Sequence, residues 1–233
     1  MQLLIENLSK SFDEKLVLDG LDAIFDQGII YALLGRNGAG KTTLFSLIAK
    51  ELAKDSGQVF LFDGKQKRPL DLNDVFFMLA EPELPRFLTG REFINFFIDV
   101  NKKRIKGDLN PDLYFDQVKF DEDDKDRLIQ GYSTGMRNKL QMMMFLITKP
   151  KVILMDEPLN SLDVVVQKEM KDLIKSIKDD HIIIFSTHIL DLAKNMADEI
   201  VLLHKGKASE VDREIKNNPD FEEKVINLLQ VED

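Results

Sequence analysis

Over the first 34 residues apolar positions come in short clusters, at 3–5, 16–18 and 21–25, with polar turns such as Gln27-Gly28 between them. Clusters of that length, bounded by turn residues, predict a small antiparallel sheet. At 29–34 the pattern becomes an unbroken apolar run, Ile-Ile-Tyr-Ala-Leu-Leu, followed at once by glycines and then by helical periodicity. Such a run suits a strand buried on both faces of a parallel sheet. Two later runs, at 152–155 and 182–185, share this character, and helix-like sequence separates them. The alternation predicts an α/β, doubly wound core.

Between Phe76 and Leu146 the pattern is amphipathic and helical, rich in Phe and Met, with an acidic stretch at 121–124. Thr89 and Glu92 have capping-box spacing, and Phe93, Phe96, Phe97 and Val100 then share one helical face. Residues of about 76–146 therefore read as a helical insertion, with about 1–75 and 147–233 forming the core of a single domain. Lys205-Gly206-Lys207 reads as a hairpin turn, and a helix is expected after Pro219.

The chain has 233 residues, 44% hydrophobic and 31% charged, which suits a globular domain burying roughly 70–75% of its unfolded surface. With no cysteine, disulfides, thiolate metal sites and thiol nucleophiles are excluded, and a reducing cytosol is expected. The net charge of -9 argues against a general nucleic-acid binder. The N-terminus lacks a charged leader and no apolar run reaches the ~18–20 residues of a membrane span, so membrane contact is expected only through a partner.

The chemistry starts at Gly35-Arg36-Asn37-Gly38-Ala39-Gly40-Lys41-Thr42, which fits G-x-x-x-x-G-K-[ST] between an expected strand and an expected helix. Glycines let consecutive N–H groups turn inward onto phosphate oxygens, and the helix adds its positive end. Lys41 is expected to reach the β- and γ-phosphates, and the Thr42 hydroxyl to meet Mg²⁺. A second strand ends in Asp156-Glu157, two carboxylates that apolar surroundings would penalise without a cation nearby. Asp156 suits the Mg²⁺ shell, and Glu157 suits a general base aimed at a water on the γ-phosphate. His188 follows a third strand, at the edge where α/β sheets collect ligand groups, and is read as a γ-phosphate contact.

The ordered set of phosphate loop, Tyr132-Ser133-Thr134-Gly135-Met136, Asp156-Glu157-Pro158, Ser161-Leu162-Asp163 and His188 resembles ATP-binding-cassette (ABC) ATPases over essentially the whole chain. That resemblance implies an α/β P-loop NTPase core with a mostly parallel sheet, an N-terminal antiparallel β subdomain and an inserted α-helical subdomain. It implies ATP and Mg²⁺ as ligands, with 35–43, including Thr43, around the phosphates and Phe12 stacked on adenine; a core phenylalanine is the alternative for Phe12. Ser133, Thr134, Gly135 and Met136 would form the signature that meets the ATP of a second subunit in a head-to-tail homodimer or heterodimer. Asp163 would be the D-loop aspartate, although a helix N-cap role suits it equally.

The departures are specific. Leu79-Ala80-Glu81-Pro82 stands where the family carries a glutamine, so Ala80 or Glu81 takes its place, and Glu81 is the uncertain third metal contact. Thr134 and Ser161 stand where glycine is usual. Tyr-Ser-x-Gly-Met-Arg and the missing glutamine look like the branch serving exporters of drugs, peptides and polar compounds. The resemblance thus implies an ATPase subunit on the inner face of the cell membrane, attached to a transmembrane permease on a separate chain. Residues 84–98, rimmed by Arg86, Arg91 and Glu92, would be the docking stretch. A soluble ABC-type ATPase acting on ribosomes or DNA is the alternative, disfavoured by one phosphate loop, no sustained heptads and the acidity. A GTPase or small-molecule kinase gains nothing from the signature.

Overall fold

The computed structural model describes residues 1–105 and 107–230. Their elements fall into two compact units, one of Met1–Phe77, Lys151–Glu157 and the chain from Lys178 onward, the other of Met78–Pro150 and Pro158–Ile177. In chain order the elements are β1 (Gln2–Phe12), β2 (Lys15–Asp26), β3 (Ile30–Leu34), α1 (Lys41–Ile48), β4 (Ser56–Phe62), β5 (Lys67–Pro69) and β6 (Val75–Met78). Next come α2 (Gly90–Asn101), α3 (Pro111–Gln117), α4 (Thr134–Thr148), β7 (Val152–Asp156) and α5 (Val164–Ile177). The chain continues with β8 (Ile182–Thr187), α6 (Leu190–Met196), β9 (Glu199–His204), β10 (Lys207–Glu210), α7 (Arg213–Lys216) and α8 (Phe221–Gln230).

The first unit carries a four-stranded sheet of order β2-β1-β4-β5 and a six-stranded sheet of order β10-β9-β3-β8-β7-β6. β1 pairs antiparallel with both β2 and β4, as the short apolar clusters predict. Asn7 breaks the ladder, at a positive φ of 50° between register shifts on both sides. Gly57 faces that bulge, where a Cβ would lie 2.3 Å from the Asn7 carbonyl oxygen, so only glycine fits. In the larger sheet β3 pairs parallel with β8 and β9, and β7 with β8. All residues of β3, β7 and β8 are buried, the physical reason that these runs read as unbroken. Tyr31, Leu33, Val152, Leu154, Ile182, Ile184, Val201 and Leu203 meet α1 and the buried side of the antiparallel sheet in one core. His204 and Lys207 close a two-residue turn at Lys205-Gly206, both at positive φ, which matches the twist of a hairpin.

The second unit is helical. Thr89 and Glu92 form the expected capping box at the start of α2. The buried face of that helix differs from expectation: Phe93, Ile94 and Ile98 are inside, while Phe96 and Val100 are 60% and 67% exposed. The i, i+4 row 90-94-98 is the one that packs, which turns Phe96 and Val100 past its edge. Phe115, Phe120 and Tyr132 stack in sequence at centroid distances of 5.3 and 5.5 Å. The acidic stretch is also structural. Lys125, nearly fully buried, pairs with Glu122 at 2.5 Å and lies 3.6 Å from Asp112. Arg91 is tied to Asp112 at 2.6 Å and Asp126 at 2.9 Å, so it serves this network and does not rim a free surface as the sequence suggested. These bonds raise its pKa well above the ordinary guanidinium value.

Candidate functional site

β3 delivers the chain to Gly35, where a Cβ would come within 2.7 Å of the Leu203 carbonyl oxygen. The loop then turns through positive φ at Gly38 (80°) and Gly40 (101°), and α1 starts at Lys41 without a side-chain cap. Amide groups of its first turn are left for a ligand, and the helix dipole favours an anion there. Arg36 and Asn37 are exposed on this loop, and Ala39 and Thr43 are half-buried.

A cleft of about 700 Å³ opens beside the loop. It is lined by Phe12, Val17, Asn37, Gly38, Gly40, Lys41, Thr42, Thr43, Asp156 and Glu157, along with the β1–β2 turn. Phe12, at the end of β1, is 45% exposed, so the ring is available as a face and is not a core residue. Lys10 sits above it, its Nζ 5.3 Å from the ring centre. Gly35, Arg36 and Ala39 shape the loop without lining this cleft.

Lys41, Thr42, Asp156 and Glu157 meet in the cleft, and Ser186 and His188 from the end of β8 bond to them. Lys41 Nζ donates to the Gly35 carbonyl at 2.8 Å and lies 3.9 Å from Glu157 Oε1. Burial pushes the Lys41 pKa down from its ordinary value, opposed by the charges of Glu157 and Asp156. The Thr42 hydroxyl donates to Asp156 Oδ2 at 2.6 Å. Ser186 Oγ donates to the other Asp156 oxygen and accepts the Glu157 N–H at 3.0 Å. His188 Nδ1 meets Glu157 Oε1 at 2.8 Å, so its ring stands beside that carboxylate. Glu157 has a φ of 45°, a left-handed conformation that turns the chain out of β7 as its side chain enters the cleft.

Chemically this is a cationic amine, a hydroxyl–carboxylate pair and a second carboxylate around a glycine-rich amide cradle. Thr42 and Asp156 offer two adjacent hard oxygens, and among the described residues no cluster of three His or acidic side chains could hold a metal ion. A small divalent ion that keeps phosphate oxygens and water in its shell fits that donor set, as Mg²⁺ does.

The remaining sequence-derived residues lie in the second unit. Ser133 caps α4, its Oγ accepting the Met136 N–H at 3.2 Å, so Thr134, Gly135 and Met136 form the first turn. Gly135 is buried against Val166, where a Cβ would stand at 3.3 Å from its Cγ1. Asp163 caps α5, accepting from Val165 and Val166 at 3.0 Å. Ser161 sits at φ 60°, the reason a glycine suits this position. Ala80 and Glu81 are exposed. Two residues that the motifs do not reveal stand out: Ser186, one of two buried hydroxyls at the end of β8, and Gln141, whose side chain holds the backbone of Leu79. Among the described residues no helix is long and apolar enough to cross a membrane.

Residues 18–160 match the family model described as ABC transporter. The chain is 30% identical to the lantibiotic transport ATP-binding protein SrtF of Streptococcus pyogenes, over 99% of its own length and 98% of that protein's. It is 34% identical to the sulfate/thiosulfate import ATP-binding protein CysA of Burkholderia mallei, over 91% of this chain and 62% of that one. The fold superposes with a TM-score of 0.74 on cbiO1 from Clostridium perfringens, described as part of the ABC transporter complex cbiONQ, at 24% identity and covering 98% and 95% of the two chains. A relative matched over nearly its whole length and a family model matched over most of the chain agree: the chain belongs to the ABC transporter family, as an ATP-binding ATPase subunit.

Proposed function

We propose that this chain is the ATPase of an exporter, closing head-to-tail with a second ATPase subunit around two MgATP and driving a transmembrane permease encoded on another chain. The observation that carries the reading is the convergence of Lys41, Thr42, Asp156 and Glu157 on one cleft beside an uncapped helix start. In it, Lys41 exchanges its contact with the Gly35 carbonyl for the β- and γ-phosphates, and the 35–43 loop donates its amides. Phe12 stacks on the adenine ring. Thr42 and Asp156 would hold the ion, with Glu81 a further candidate. Mg²⁺, when bound, neutralises charge on the phosphate oxygens.

Glu157 takes the proton of the attacking water, and His188, already hydrogen-bonded to it, orients that carboxylate. Ser133, Thr134, Gly135 and Met136 would then contact the ATP held by the other subunit, aided by the N-terminal dipole of α4. Asp163 would communicate across that dimer. The chain serves as one ABC ATPase domain, with about 1–75 and 147–233 as core and about 76–146 as signature subdomain. The second subunit is an identical or a related chain.

Export is supported by the Tyr-Ser-Thr-Gly-Met-Arg run, by the absent glutamine after β6, and by the similarity to a lantibiotic transport protein. The exposed Phe87, Phe96 and Val100 support 84–98 as the permease docking stretch, which would hold the chain on the cytoplasmic face of the membrane. No nucleic-acid partner is part of this reading.

The test uses Glu157→Gln. This variant is expected to bind MgATP as tightly as the native chain while turnover falls about 10²–10⁴-fold, the usual worth of a general base. Tagged and purified with MgATP from detergent-solubilised membranes, it should bring down a polytopic membrane protein near stoichiometrically. Near-native turnover would overturn the base assignment; ribosomal or DNA-associated proteins in place of a permease would overturn the transport reading.

A further inference from the structure

β6 ends at the fully buried Met78, and its backbone bonding does not stop there. The next residue, Leu79, donates its N–H to Gln141 Oε1 at 3.0 Å and accepts from Gln141 Nε2 at 3.0 Å. A primary amide that gives and takes with one residue reproduces the paired bonds of a strand partner. Gln141 is 5% exposed and Leu79 half-buried, so the pairing is partly withdrawn from water. It lies two turns into α4, the helix whose N-cap is Ser133. One turn earlier Asn138 donates to the Pro158 carbonyl at 3.3 Å, which ties the same helix to the segment after Glu157.

The far end of the loop that starts at Leu79 is also tied beside Ser133. Ile129 donates to the Leu88 carbonyl at 2.9 Å and Gln130 to the Arg86 carbonyl at 3.1 Å, both in the turn just ahead of Tyr132-Ser133. The loop between these anchors carries Phe87, the most exposed large apolar side chain of the described residues at 85%. Leu79–Leu88 is thus a strap fastened on both sides of Ser133, by backbone at one end and by a single side chain at the other. The backbone end does not depend on side-chain identity. The Gln141 end does.

We propose that Gln141 is a positioning residue that fastens the Leu79 loop to α4, so that a load on the exposed loop moves Ser133 and Gly135 together with it. This rests on the assignment of Ser133 and Gly135 to the ATP of the partner subunit. Gln141 touches no nucleotide in that scheme, so its removal changes the rate of turnover and leaves ATP affinity alone.

The experiment compares the full chain with Gln141→Leu and Gln141→Glu. Hydrogen exchange at the Leu79 amide reads the joint directly, and steady-state hydrolysis with MgATP reads kcat and KM. Gln141→Leu is expected to speed Leu79 exchange about tenfold or more and to lower kcat about tenfold with KM within twofold of native. Gln141→Glu keeps the acceptor for Leu79 N–H but sets a carboxylate against its carbonyl, so it should fall between the two. It supplies the same readouts if the leucine variant does not fold. A kcat within twofold of native despite fast Leu79 exchange would overturn the proposal, as would unchanged exchange, or a KM that rises with the fall in kcat. Glu157→Gln, measured alongside, separates the two levels: retained hydrolysis there sinks the site assignment, whereas the Gln141 series addresses only the joint.

Discussion

Both units bury polar groups, but they use them differently. At the cleft of the first unit the bonds run between side chains from separate segments: Thr42 to Asp156, Ser186 to Asp156, His188 to Glu157. In the helical unit, beside the charged pairs that Arg91, Lys125 and Lys139 make with carboxylates, a further set runs from side chains to backbone: Gln141 to Leu79, Lys139 to the Lys119 carbonyl, Asn138 to the Pro158 carbonyl. Side-chain pairs at strand ends can be re-partnered by a ligand without moving the main chain, because the strands themselves are fixed by their ladders. Side-chain anchors on backbone fix where loops go, so losing one lets a segment move. The first arrangement suits a site that exchanges phosphate and metal, the second suits a lever.

The largest effect is expected from the aromatic stack that sets the lever's frame. Phe115→Ala empties a fully buried position next to Phe120 and should cost about 3–5 kcal/mol in chemical unfolding, with the melting of the helical unit moved first. A uniform shift of both units would break the contrast between them.

Ser186→Ala tests the cleft. It strips a bond from Asp156 and the partner of the Glu157 N–H, so turnover should fall about 10–100-fold, the usual cost of losing a group that orients ligands. Native turnover in that variant would mean that β7 alone fixes both carboxylates.

Ser161→Gly should instead stabilise the chain, by up to about 1 kcal/mol, since serine pays for a φ of 60° that glycine adopts freely. Denaturant midpoints read this directly; a loss of stability would show that the serine hydroxyl does more than sit in the turn.

The smallest effect concerns pH. Burial lowers the Lys41 pKa in the folded chain, so between that value and the unfolded value of about 10.4 the unfolded state holds a proton that the folded state has shed. Stability of the nucleotide-free chain therefore gains from rising pH in that window, and Lys41→Met lacks the gain. Melting curves from pH 7 to 10 should show the variant's advantage greatest near neutrality and shrinking as pH rises. A gap that grows with pH would reverse the assigned cause.

The phosphate loop, both carboxylates, the capping box of α2 and the hairpin at Lys205-Gly206 were all legible in the chain because each is local. Glycine spacing, a strand end or a turn dipeptide fixes them within a few residues. The buried row of α2 was not, since periodicity marks a face of Phe93, Phe96, Phe97 and Val100 while the neighbours decide that Ile94 and Ile98 go inside. Arg91 was equally opaque: its partners Asp112 and Asp126 are distant in sequence and join it only once α2 and α3 pack.

By itself the sequence determined that this is an α/β chain with a glycine-rich loop between strand and helix and a strand ending in two carboxylates, because those depend on short-range spacing and on which runs are apolar enough to be buried. Tertiary structure alone decided that Ser186 bonds the Asp156 carboxylate and the Glu157 N–H, that His188 bonds Glu157, and that Gln141 stands in for a strand at Leu79. Each of these is a bond between groups 29 to 62 positions apart, and no local pattern encodes which polar side chain the fold will bring to an unpaired partner.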